Sequence, residues 1–176
     1  MMLFRHTHPN FPFLWEDSAQ PAARWHAAGE GLVHYFATTA DGAWAELLRH
    51  EEIVEPEDLE GIARRAMWVV TVDVPESGLD EPVLPADVLT GDTATHVACQ
   101  REARRLREGG SVGLRAPSAA LRPGGAVRLT FDGGQRFERL GSEVVVLFGS
   151  HPSLTAQLVS IGGRPDARLL EFVRRL

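Results

Sequence analysis

Leu32-Val33-His34-Tyr35-Phe36-Ala37-Thr38-Thr39-Ala40-Asp41, continuing through Gly42-Ala43-Trp44-Ala45-Glu46-Leu47-Leu48, decides how this chain folds. Residues 32–37 form a short apolar and aromatic run, which reads as a strand. Thr38-Thr39-Ala40-Asp41 then offers side-chain oxygens to cap a helix. That helix is expected over residues 41–50, with Trp44, Leu47 and Leu48 on its buried face.

Working outward, residues 23–26 read as a second strand, joined to the first by the glycine-bearing turn Ala27-Ala28-Gly29-Glu30-Gly31. Residues 2–5 suit a short strand, and the aromatic stretch from Asn10 to Asp17 suits an ordered loop packed on the body. Downstream, residues 56–60 read as a helical turn opened by Pro56. Residues 66–74 are the clearest strand, apolar first and then alternating. Pro75, Pro82 and Pro85 argue against regular structure over residues 75–92. An amphipathic helix is expected over residues 94–108, ended by Gly109-Gly110. Further strands fit residues 112–114, 127–131, 144–148 and 156–161. A last helix, entered at Pro165, fits residues 165–176. Short strands with a few interspersed helices define an α+β protein with a mixed or largely antiparallel sheet. One domain is expected over residues 1–176.

Net charge is −6, against the basic excess of a nucleic-acid binder. All 18 basic residues are arginine. The one cysteine, Cys99, excludes an intramolecular disulfide framework. The N-terminal residues lack the apolar core of a signal peptide, and no run approaches the length of a membrane span. The expected location is cytoplasmic, with no direct nucleic-acid or membrane partner.

Three chemistry-bearing residues punctuate the first third of the chain: Arg24, Tyr35 (the single tyrosine) and Glu46, at equal intervals. Around them stand Arg24-Trp25, the glycine-bearing turn, Val33-His34-Tyr35-Phe36-Ala37-Thr38 and Ala43-Trp44-Ala45-Glu46-Leu47-Leu48. Ala116-Pro117-Ser118 follows later, preceded by a helix and by Gly113-Leu114-Arg115. In this order these words resemble the RES domain, a family named for a characteristic arginine, glutamate and serine. Two positions depart from the family pattern: Ala23 stands where a glycine is usual, and His26 where asparagine is frequent.

The resemblance implies a fold like that of the ADP-ribosyltransferases and an activity on NAD⁺ as substrate, with no metal. NAD⁺ is destroyed by hydrolysis or phosphorolysis, or its ADP-ribose is transferred to protein. It also implies a bacterial toxin, neutralised by a helix-turn-helix antitoxin that itself contacts DNA. On that footing Arg24 binds phosphate oxygens through its planar fork. Tyr35 packs against nicotinamide or the adjoining ribose. Glu46 stabilises the positive charge that develops on the ribose as nicotinamide leaves. Ser118 positions substrate or Glu46, and His26 is a substrate neighbour. Each has an ordinary alternative: an ion-paired arginine, a core tyrosine, a solvated helix glutamate, a turn serine. A non-catalytic nucleotide- or protein-binding module is a third reading of the whole.

Other features carry less. His96 and Cys99 have metal-compatible helical spacing, yet no recognisable ligand signature completes them. The Gly-Gly pairs fit no dinucleotide or phosphate loop. Phe148-Gly149-Ser150-His151 reads as a turn. Arg101, Arg104, Arg105 and Arg107 form a basic helix face, solvated or matched to an acidic partner.

Overall fold

The computed structural model describes residues 1–17, 19–62 and 64–176. Its centre is a six-stranded sheet. β1 (Met2–Thr7) and β2 (Val33–Ala37) lie in the middle. β3 (Arg65–Thr71) and β8 (Thr155–Gly163) extend one side, and β7 (Glu143–Phe148) and β4 (Gly113–Pro117) the other. The order is β4-β7-β2-β1-β3-β8, with every neighbouring pair antiparallel. The α+β expectation is therefore met, with an antiparallel sheet. The β4 edge is covered: Asp80 bridges it, its N–H donating to Gly113 and its carbonyl accepting from Arg115. β8 is the last strand on the other side.

Strand alternation gives the sheet two faces. Val33, Tyr35 and Ala37 face the helices, while His34 and Phe36 face the opposite side. On the helical side, α1 (Ala40–His50) packs Ala43 against Phe4, Ala37 and Met67. Leu47 and Leu48 are fully buried, and Leu48 packs in a core with Leu121 and Leu169. Side chains of that kind contribute about 1.5–3 kcal/mol each on burial. Thr39 caps the helix, its Oγ1 accepting the Gly42 N–H at 3.0 Å. α3 (His96–Glu108) sets Cys99, Ala103 and Leu106 against Trp25, Val33 and Leu114. Phe13 and Leu14 pack against the other face, so the N-terminal aromatic stretch is an ordered cover as expected.

Several elements differ from the sequence reading. Residues 23–26 form a tight turn closed by an Ala23–His26 bridge, with no strand. The Trp25 N–H that a strand neighbour would take goes to the Tyr35 hydroxyl at 3.0 Å. Residues 75–92 contain the short helix α2 (Ala86–Thr90), which starts directly after Pro85, where the ring's fixed φ suits a helix entry. The strand expected over residues 127–131 is one arm of a hairpin of β5 (Ala126–Phe131) and β6 (Gln135–Leu140). The charged β6 sequence Gln-Arg-Phe-Glu-Arg-Leu hides that strand, but Asp132-Gly133-Gly134 is a hairpin signal, and Gly133 takes φ 62° there.

The C-terminal helix shrinks to a 3₁₀ segment, Ala167–Phe172. Beyond it the chain is drawn out against residues 118–122. Val173 bridges Leu121, the Arg174 N–H donates to Ala120 O at 2.7 Å, and Arg174 Nη1 donates to Ser118 O and Leu121 O. Tertiary hydrogen bonds override the helical spacing. No helix of the described residues is long and apolar enough to cross a membrane.

Candidate active site

A cleft of about 580 Å³ opens on the helical side of the sheet. Arg24 and Trp25 enter it from the 23–26 turn, Tyr35 from β2, Glu46 and Arg49 from α1, and Thr93 and His96 from the segment entering α3. The three residues singled out in the sequence thus share one cavity. Ser118 and His26 stand immediately behind it, each hydrogen-bonded to a lining residue.

Glu46 is partly buried, with its carboxyl against the base of α1 and the 118–121 segment. Ser118 Oγ donates to Glu46 Oε1 at 3.2 Å. The same Oγ accepts the N–H groups of Ala120 at 3.2 Å and Leu121 at 3.0 Å, so the hydroxyl proton has one direction left to point. Burial raises the Glu46 carboxyl above the usual carboxylate range. The Ser118 hydrogen bond and the charges of Arg49 and Arg24 pull the other way.

Tyr35 presents its ring to the cleft and turns its hydroxyl inward. That oxygen accepts from Trp25 N and pairs with His26 Nδ1, both at 3.0 Å. Burial pushes the phenol well above its ordinary value, so it stays protonated. The Tyr35 hydroxyl and His26 Nδ1 are hydrogen-bonded, with the direction set by the His26 tautomer. His26 is buried, and desolvation of its ring favours the neutral form. His26 acts on the cleft through Tyr35.

Arg24 is buried, and its guanidinium is spoken for. Nη1 donates to Val88 O at 3.2 Å and Thr95 Oγ1 at 2.9 Å, with Cys99 Sγ at 3.8 Å; Nη2 donates to Gly91 O at 2.6 Å. It therefore fixes the 88–95 segment as a cleft wall and supplies a stationary positive charge. Burial raises the Cys99 thiol, and the Arg24 contact offsets this in part, so Cys99 belongs to this wall.

Arg49 was missed in the sequence. It lies one helical turn after Glu46, the spacing that puts two side chains on one helix face. Nη1 donates to Ala119 O, and Nη2 to Gly91 O at 2.6 Å. His6 and Arg65, from β1 and β3, also line the cleft without any local sequence signal. Of the basic α3 face, Arg104 pairs with Glu30, Arg105 with Glu102, and Arg107 lies 4.7 Å over the Phe148 ring.

An antiparallel sheet with helices on one face thus carries one cleft that brings together a carboxylate, an aromatic ring and two buried arginines. The chain matches the RES domain over residues 2–166, nearly its whole length, and belongs to that family. Membership makes it an NAD-related enzymatic domain of the toxin-like class. No curated protein and no solved structure matches it.

Proposed function

We propose that this protein cleaves NAD⁺ and releases nicotinamide, as a glycohydrolase or phosphorylase, and that it is the toxin of a cytoplasmic type II toxin–antitoxin pair. The observation that carries the reading is Glu46: a carboxylate oriented by Ser118, inside a cleft whose opposite features are an aromatic ring and fixed positive charge. The fold is compatible with that of the ADP-ribosyltransferases, and one domain spans the chain.

The bond that breaks joins the ribose to the nicotinamide nitrogen. Its electron pair passes to that nitrogen and cancels the ring's positive charge, while positive charge develops on the ribose. Glu46, held by Ser118, is the carboxylate that would stabilise that charge without moving. Tyr35 offers a flat face to the cationic ring. Arg24 and Arg49 give the cleft wall a positive field suited to the diphosphate. A helix-turn-helix antitoxin would silence the enzyme by occupying this cleft.

The test is nicotinamide release from NAD⁺ by the wild type beside Glu46→Gln. Release by the wild type alone supports the reading; equal release by both, or none from the wild type, overturns it.

A further inference from the structure

Glu46 takes its orientation from the 118–121 turn, and that turn is itself gripped from outside. Ser118 Oγ donates to Glu46 Oε1 and accepts the N–H groups of Ala120 and Leu121. The Ala120 N–H also favours the charged form of the Glu46 carboxyl. The donors that meet Glu46 are therefore set by the peptide planes of residues 118–121. A group so placed keeps its direction only when its support is locked in turn.

Every carbonyl of the turn ends on an arginine. Arg49 Nη1 donates to Ala119 O. Arg174 takes the other three: its Nη1 donates to Ser118 O at 2.9 Å and to Leu121 O at 2.6 Å, and its backbone N–H donates to Ala120 O at 2.7 Å. The chain beside it pairs with the turn as well, with the Arg122 N–H donating to Phe172 O at 2.8 Å and Val173 bridging Leu121. At the entry to the turn the Ser118 N–H donates to Ser142 O at 2.9 Å.

Arg174 is half-buried, and burial together with the Arg122 charge lowers its pKa. Arginines that leave water are ordinarily matched by a carboxylate. The side-chain acceptors here are two carbonyl oxygens, so the guanidinium serves as a bracket for the main chain. The charges that act on Glu46 are those of Arg49 and Arg24, whereas the Arg174 charge falls on Arg49. Arg174 also lies beyond residue 166, where the family match stops.

We propose that Arg174 is a positioning residue of the active site, clamping the 118–121 turn so that the Ser118 hydroxyl meets Glu46. Its effect on turnover rests on the NAD⁺-cleaving reading above; its effect on the carboxyl does not. Without the clamp Glu46 keeps its burial and loses the fixed direction of its donor. The ionised carboxylate, aligned for positive charge on the ribose, becomes rarer. Arg24, Tyr35 and the 88–95 wall keep their own contacts, so substrate binding is preserved while the chemical step slows.

The test is a double-mutant cycle on the full chain, with Arg174→Met, Ser118→Ala and the two combined. Two quantities are read in each protein. One is the Glu46 carboxyl pKa, from NMR of carboxyl-labelled glutamate with the signal assigned by Glu46→Gln. The other is kcat and KM for nicotinamide release from NAD⁺. Arg174→Met should raise the carboxyl pKa and lower kcat by about tenfold or more, the scale of a misplaced catalytic group, with KM little changed. In the Ser118→Ala background it should add nothing to either. Arg174→Lys keeps the charge and much of the stem and should fall between wild type and Arg174→Met; it carries the cycle if the methionine variant does not fold.

An unmoved pKa and an unmoved kcat in Arg174→Met overturn the clamp. So does a change of equal size with and without Ser118, which would make Arg174 act by charge through Arg49. If the wild type releases no nicotinamide, the NAD⁺ reading fails and the carboxyl pKa alone decides the clamp.

Discussion

Arg24 and Arg49, from a turn and a helix, donate to the same atom: Nη2 of each reaches the Gly91 carbonyl oxygen at 2.6 Å. Two guanidiniums on one acceptor repel each other, and burial with the Arg24 charge lowers the Arg49 pKa. The nearby Glu46 carboxylate counters this. The wall of the cleft and its carboxylate are thereby electrostatically dependent on each other.

Gly91 has no room for a side chain. A Cβ there would stand 2.5 Å from Thr95 Cγ2 and 2.7 Å from Asp87 O. Gly91→Ala should destabilise the protein by about 1–3 kcal/mol, the usual range for overpacking, and lower NAD⁺ cleavage by displacing the shared carbonyl. Denaturant melts and an NAD⁺ assay check both. Unchanged stability would show that the 88–95 segment shifts freely.

Glu46→Gln should separate stability from function. Because burial raises the folded carboxyl pKa, the folded chain keeps this proton to higher pH than the unfolded chain. The stability linked to Glu46 is therefore full below the ordinary carboxylate pKa and declines as pH rises through the raised folded value. The glutamine variant lacks that decline. It should be inactive yet melt higher than the wild type at mildly alkaline pH, with the gap closing in acid.

Ser118→Ala removes the donor to Glu46 and the acceptor for two buried N–H groups. A loss of about 1–2 kcal/mol is expected, as for other caps. The Glu46 pKa should rise further, so the acid limb of the pH–activity curve should move to higher pH. Ser118→Thr should retain most of both properties.

His6 reports on acid stability. The unfolded ring takes up its proton near pH 6.5 and the folded ring only at about 4, so stability falls as pH drops between those values. The loss is on the order of 3 kcal/mol in all. His6→Phe preserves the stack on Trp44 and should flatten this part of the pH–stability curve. An unchanged slope would assign the acid transition to other groups, with His26 and His34 next in line.

Much of this was legible locally. The strand around Tyr35, the capped helix carrying Glu46 and the Pro117-Ser118 word are each set by neighbours in sequence, and their residues meet at the cleft. Legibility ended where distant segments impose the conformation. The turn at Arg24 depends on the Tyr35 hydroxyl, and the extended C-terminus depends on the backbone of residues 118–122. The meeting of His6 and Arg65 in the cleft lining depends on β1 and β3 lying side by side. Arg49 is the exception, since its spacing from Glu46 was in plain view.

β8 ends the sheet with nine residues, Thr-Ala-Gln-Leu-Val-Ser-Ile-Gly-Gly, none of them charged. Natural sheets protect such margins with lysine, proline or a covering loop, as Asp80 does for β4. Encounters between two such margins scale with the square of concentration, so crowding will affect this protein far more than dilution will. A cell that makes it sparingly would never meet the problem; a purification column would.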